Sequence, residues 1–138
     1  MTQVSGLLLV ALSALSTAAV GQTPMPAPMT AAEFEAWSTG QTLDYWVDGG
    51  FFGSEMHLPG RKTIDSDPGG PCVAGAWFPE GDAICFVYDG SDTQHCWRFW
   101  RQGAEVLAQS VAADPGSSPA SVTLAPEPLA CPGPDVGA

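Results

Sequence analysis

Cations are scarce in this chain. Arg61, Lys62, Arg98 and Arg101 are its only Lys and Arg residues, against fifteen Asp and Glu in 138 residues, and the net charge is −11 at pH 7. Such a surface repels phosphate backbones and anionic lipid heads, so no nucleic-acid partner is expected. Long apolar runs are missing too: residues 7–15 (LLLVALSAL) make a run of nine, short of the ~20 that span a bilayer. Histidine is limited to His57 and His95. There is no C-x-x-C spacing and no clustered His, which argues against a zinc site, and the same spacing excludes a thioredoxin-like redox pair. A Gly-x-Ser-x-Gly elbow and a Gly-rich phosphate loop are also lacking. No catalytic residue, metal or cofactor is therefore expected. The stretches Asp65-Ser66-Asp67-Pro68-Gly69-Gly70 and Asp89-Gly90-Ser91-Asp92 look like fragments of calcium loops, but lack the full ligand spacing and the distal Glu. They read as turns, with Asp accepting local backbone bonds and Gly supplying positive φ. The basic pair Arg61-Lys62 reads as pairing with nearby carboxylates rather than as an anion site.

What the chain does have begins with a signal-like start. The apolar run is followed by STAAVG, where Ala19 and Gly21 fit a small-x-small pattern, and cleavage after Gly21 is expected. The preceding MTQVSG carries no Lys or Arg; a buried N-terminal helix and a retained anchor are the competing readings. Lipid attachment at a mature N-terminal Cys is excluded, because no Cys precedes Cys72. Residues 1–21 are thus read as a signal peptide, 22–29 as a flexible Pro-rich arm, and 30–138 as one disulfide-bonded β domain with a Pro/Gly-rich tail. The location expected is periplasmic or secreted, with no membrane insertion once the signal is removed.

In MTAAEFEAWSTG, Thr30 can cap a helix and Glu33 can reach back to the cap N–H. Met29 and Phe34 are placed to pack across that start, Phe34 and Trp37 share a face, and Gly40 ends the helix. From Thr42 onward, short runs alternate in polarity and are separated by Gly, Pro and Asp at roughly ten-residue spacing, the pattern of an antiparallel meander. TLDYWVD sets Leu43, Tyr45 and Val47 against Asp44, Trp46 and Asp48. SVTLA can add a last strand. The fold class expected is mainly β: an antiparallel meander in a curled sheet or small half-barrel, with one short helix and two disulfides.

Four cysteines in an exported chain read as two disulfides, with three connectivities open. If Asp89-Gly90-Ser91-Asp92 is a four-residue hairpin loop, Ile84 faces Trp97, Cys85 faces Cys96 and Phe86 faces His95. Alternation then puts Ile84, Phe86, Tyr88, Trp97 and Phe99 on one face and both cysteines on the other. The register favours Cys85–Cys96, a bridge contributing ~3 kcal/mol in the chain-entropy picture, and leaves Cys72 for Cys131. Taking Pro79-Glu80-Gly81-Asp82 as the next loop sets Trp77 opposite Ile84, Ala76 opposite Cys85 and Gly75 opposite Phe86, where Gly75 would leave room for the ring. The second face, with Ala74, Ala76, Phe78, Val87, Arg98 and Trp100, would be partly covered by the helix and tail.

The aromatic face is an ordinary core on the first reading and a ligand pocket on the second, with Trp46, Trp77, Tyr88, Trp97 and Phe99 as the candidate lining and Tyr45 as a further contributor. Both histidines are expected half-exposed on strands, His95 beside Phe86. The phrases MTAAEFEAWSTGQTLDY, GSEMHLPGRK, ICFVYDG, QHCWRFW and EPLACPGPDVG resemble uncharacterised small exported proteins of alphaproteobacteria. The ordering of helix and Cys-bearing meander is similar, more faintly, to lipocalin-like domains of unknown function. The resemblance covers most of residues 29–136; the uncharged start of the signal departs from it. It implies an exported location, agrees with the cysteine pairing and brings no catalytic residue. The function expected is a non-catalytic binding or interaction module for a small molecule or a protein. A lipocalin-like binder with an aromatic pocket is the alternative, and a hydrolytic enzyme ranks behind both.

Overall fold

The chain enters its first element through a reciprocal cap. Thr30 Oγ1 accepts from the Glu33 N–H at 3.2 Å, and Glu33 Oε2 accepts from the Thr30 N–H at 2.8 Å, satisfying two donors that a helix start leaves orphaned. A computed structural model describes residues 26–131; the expected signal segment, 1–21, lies outside them, as do 22–25 and the last tail residues, 132–138. The helix α1 (Ala31–Ser38) follows the cap. Met29, at the end of the Pro-rich stretch, is buried and its N–H donates to Phe99 O at 2.7 Å. Gly40 (φ 81°) turns the chain out of the helix, and its N–H donates to His57 O.

Eight strands follow: β1 (Thr42–Val47), β2 (Gly50–Leu58), β3 (Lys62–Ser66), β4 (Val73–Glu80), β5 (Ala83–Tyr88), β6 (His95–Gln102), β7 (Glu105–Ser110) and β8 (Ala120–Leu124). Each pairs antiparallel with its neighbour, and β8 returns to β1, so the sheet closes into a barrel. Closure goes beyond the curled sheet or half-barrel that the pattern suggested, and it pairs the edges that an open sheet would expose.

The β5–β6 register is the expected one: Ile84 faces Trp97, Cys85 faces Cys96 and Phe86 faces His95. The disulfides are Cys85–Cys96 and Cys72–Cys131, with Cα separations of 4.0 and 5.8 Å. The second fixes the chain after β8 to the residue before β4. Two details differ from expectation. The β5–β6 ladder stops at Phe86–His95, and Asp89-Gly90-Ser91-Asp92 is not a closed four-residue loop. Beyond that pair the Asp89 N–H turns to Ala74 O, and the Thr93 N–H turns to Ser91 Oγ. On the other side of β5 the register slides by two residues: Trp77 faces Phe86, Phe78 faces Cys85 and Gly75 faces Tyr88. The reason is a tight Gly81-Asp82 turn between Glu80 and Ala83, with Gly81 at φ 59°, which matches the twist of a two-residue hairpin. A slide of two keeps every side chain on its face. Gly75 therefore makes room for Tyr88, not Phe86: a Cβ there would lie 2.7 Å from Tyr88 Cδ1 and from Val87 O.

The helix does not cover the outer face; it plugs one end of the barrel. Phe34, fully buried, meets Phe99 at 4.6 Å between ring centroids, Trp77 at 5.2 Å and His57 at 5.5 Å. With Leu43, Ile84, Phe86, Val106, Ala108 and Val122 these rings form the core, which fills the half of the barrel next to the helix.

Candidate ligand cavity at the open end of the barrel

The two ends of the barrel are built differently. At the helix end the strands join through the tight connections β2–β3, β4–β5 and β6–β7. At the other end lie the β1–β2 hairpin and three longer loops, residues 67–72, 89–94 and 111–119. Longer loops on a rigid scaffold are where binding groups concentrate. The parting of β5 from β6 beyond His95 helps to open this end.

A cavity of ≈ 290 Å³ lies inside the open end, at the small end of the range for ligand pockets. Its aromatic wall is Tyr45 of β1, Phe86 and Tyr88 of β5, and Trp97 of β6, with Phe52 and His95 at the entrance. Its polar side is Glu55 of β2 and Asp65 of β3, with Asp67 just beyond β3. Tyr88 and Trp97 of the expected lining are thus brought together, along with Tyr45. Trp77 and Phe99 point into the same barrel but sit in the packed half under the helix. Trp46 is on the outside, where its Nε1–H donates to Thr123 Oγ1 at 3.0 Å and its ring meets Phe51.

The polar wall is absent from the lining expected from the sequence, and a β-bulge puts it there. Across the Asp48-Gly49 turn Trp46 faces Phe51, but Tyr45 faces Gly53, so Phe52 is an extra residue. An extra residue flips every later side chain to the opposite face. Glu55 and His57 therefore point inward, at 2 % and 1 % exposure, while Met56 and Leu58 take the outer face. His57 is buried, not half-exposed as expected. His95 is exposed, and its ring packs 6.0 Å from Tyr88 rather than beside Phe86.

Buried polar groups must find partners. Glu55 Oε2 accepts from Tyr88 Oη at 2.6 Å, and Glu55 Oε1 lies 2.9 Å from His57 Nε2, off the axis of a hydrogen bond. His57 also faces Thr63 across β2–β3. Directly opposite Glu55 on β3 stands Asp65, and two carboxyls facing each other across a ladder are unfavourable. Burial, then the Glu55 carboxylate, then Asp67, push the Asp65 pKa up from 3.8 to about 7. Burial raises both phenols well above 10, with the Glu55 charge adding to it. Tyr45 and Tyr88 therefore keep their protons at neutral pH and present O–H donors.

The stretch from Asp65 to Gly70 is a turn only in part. Asp67 O accepts from the Gly70 N–H, but Asp65 belongs to β3 and faces the cavity. Arg61 pairs with Glu35 at 3.1 Å and stacks over Trp77, so it serves the helix end. The Glu80 carboxylate lies near Cys85 and Cys96, whose sulfurs are bonded to each other and offer no thiolate to a metal. No protein family, curated protein or solved structure matches this chain.

Proposed function

We propose that this is a non-catalytic, periplasmic or secreted binding protein that takes one small molecule into the open end of its barrel. The observation that carries the reading is the contrast between the two halves of the interior. Phe34, Trp77 and Phe99 fill one half, whereas the other keeps a cavity of ≈ 290 Å³ faced by rings and carboxyls. An eight-stranded barrel is just wide enough to be filled by side chains or to hold one small ligand, as in lipocalins. Burying Glu55 and His57 in place of Met56 and Leu58 costs stability that a purely structural barrel has no reason to lose. Two formed disulfides support an oxidising compartment.

The test uses Ala120, buried at the cavity wall. Native mass spectrometry of the exported protein is expected to find a small-molecule adduct, and Ala120→Trp, which fills the space, is expected to remove it. A parent protein that carries no adduct and binds nothing from a small-molecule library would overturn the reading.

A second reading has its own observation. Val47, Phe51 and Phe52 are exposed together on the β1–β2 hairpin, and exposed apolar patches at a rim favour a protein partner. Phe51→Ser would then abolish co-purification of that partner and leave the adduct in place.

A further inference from the structure

We propose that the ligand is an organic cation, a small molecule with an ammonium or amidinium head and an apolar body. The inference rests on the small-molecule reading and adds the charge of the ligand. The cavity and its aromatic walls make the site; the carboxylates set the sign of what enters it.

Glu55, Asp65 and Asp67 line the cavity, and among the described residues no Lys or Arg does. The chain's own cations are engaged elsewhere. Arg61 is held by Glu35 and Trp77, Arg98 pairs with Asp82 at 2.9 Å, and Arg101 lies over Trp37. Lys62 is exposed at the helix end of β3. His95 is the one imidazole at the cavity among the described residues and sits exposed at its entrance. Glu55 has Tyr88 Oη at 2.6 Å and His57 Nε2 at 2.9 Å beside it, so Asp65 and Asp67 are the carboxylates left to face a ligand, and a carboxylate or phosphate ligand would meet their repulsion in a partly dehydrated space.

The walls suit a cation of the organic kind. Tyr45, Tyr88 and Trp97 present rings around the same space as Asp65. An ammonium within ~6 Å of a ring centroid is attracted by the negative face of the ring, most strongly where water is excluded. A hard metal ion is a poorer fit. It needs six or more oxygens converging at ~2.3–2.6 Å, whereas the carboxylates of Glu55, Asp65 and Asp67 do not all come within 4.8 Å of one another. Phe52, Phe86 and Trp97 of the lining have no side-chain oxygen to offer such an ion.

The experiment is calorimetric titration at pH 8, above the titration of Asp65, of the full exported chain, both disulfides formed, with three probes of one shape: phenethylamine, its neutral isostere 2-phenylethanol, and phenylacetate. Phenethylamine is expected to bind about tenfold or more tighter than the other two. Asp65→Asn is expected to remove about tenfold of that preference, read as the ratio of phenethylamine to 2-phenylethanol affinity. Asp67→Asn, at an exposed position, gives the same direction should Asp65→Asn fail to fold. Binding of the alcohol or the acid as tightly as the amine overturns the cation assignment and leaves the cavity reading standing. Absence of binding by all three, with Ala120→Trp and parent alike in a library screen, overturns both.

Discussion

Asp65 is the residue whose chemistry reaches furthest. Its carboxyl is half-buried opposite Glu55, and its pKa is lifted from 3.8 to about 7 by burial first and by the Glu55 and Asp67 charges next. Tyr45, Tyr88 and His95 are the other titratable groups around the same cavity. A raised carboxyl pKa means that folding takes up a proton between pH ~4 and ~7. The contribution of Asp65 to stability is thus fully present below pH ~4 and is lost as pH rises through about 7. Asp65→Asn is expected to flatten this decline and to raise Tm at pH 7.5 by a few degrees, the scale that ~1 kcal/mol brings to a domain of this size once solvent screening is allowed for. Thermal melts of both proteins from pH 4 to 8 check it; parallel curves would show that Asp65 does not titrate in that range. Gly75 has a sharper constraint. A methyl at this position would sit 2.7 Å from the Val87 carbonyl oxygen, a backbone atom of the paired strand, so no side-chain rotation can accommodate it. Gly75→Ala is expected to cost about 1–3 kcal/mol in urea unfolding, and to displace the Tyr88 ring that the cavity uses.

At the scale of elements, the helix and the two bridges hold different parts of the barrel. Phe34 touches four other aromatic rings and His57, so Phe34→Ala removes the centre of the plug and is expected to cost about 3–5 kcal/mol. The Cys72–Cys131 bridge spans 59 residues of chain and Cys85–Cys96 spans 11. Chain entropy then predicts ~4 kcal/mol lost on replacing the first pair by Ser and ~3 kcal/mol on replacing the second. Urea titration of the two double variants checks the order. Which elements could be foreseen follows from where their information lies. The helix start was legible because Thr30 and Glu33 are neighbours in sequence and satisfy each other. The β5–β6 register was legible because alternation of Ile84, Phe86, Trp97 and Phe99 and the two cysteines agreed on one pairing. The Gly81-Asp82 turn was misjudged in length, yet faces survived because the slip was even. The bulge at Phe52 has no local signal in the sequence, and no face is assigned to FFGSEMHLPG from its pattern. It turns Glu55 and His57 inward in place of Met56 and Leu58, and the acidic wall with them. Tyr45, Tyr88 and Trp97 were visible as rings, but only closure of β8 onto β1 decides which rings pack and which surround a cavity.

For the molecule as a whole, charge and cavity act in the same sense. A net charge of −11 surrounds an opening lined by three carboxyls, so the field draws cations toward the entrance from a distance. The reach of that field is the Debye length, ~30 Å at 10 mM salt and ~8 Å at 150 mM. Once inside, a cation sits among rings and a half-buried carboxyl, where salt screens little. The two rates should therefore respond differently. Stopped-flow measurement with phenethylamine, following Trp97 emission, is expected to show association slowing several-fold between 10 and 150 mM salt. Dissociation should stay nearly constant, because the contacts broken on leaving are short and shielded from solvent. The other four tryptophans lie off the cavity wall, so Trp97→Phe serves as the control that ties the signal to the site. If association proved indifferent to salt while the amine still bound, the rings and not the charges would be responsible for drawing the ligand in, and the acidic surface would serve solubility alone.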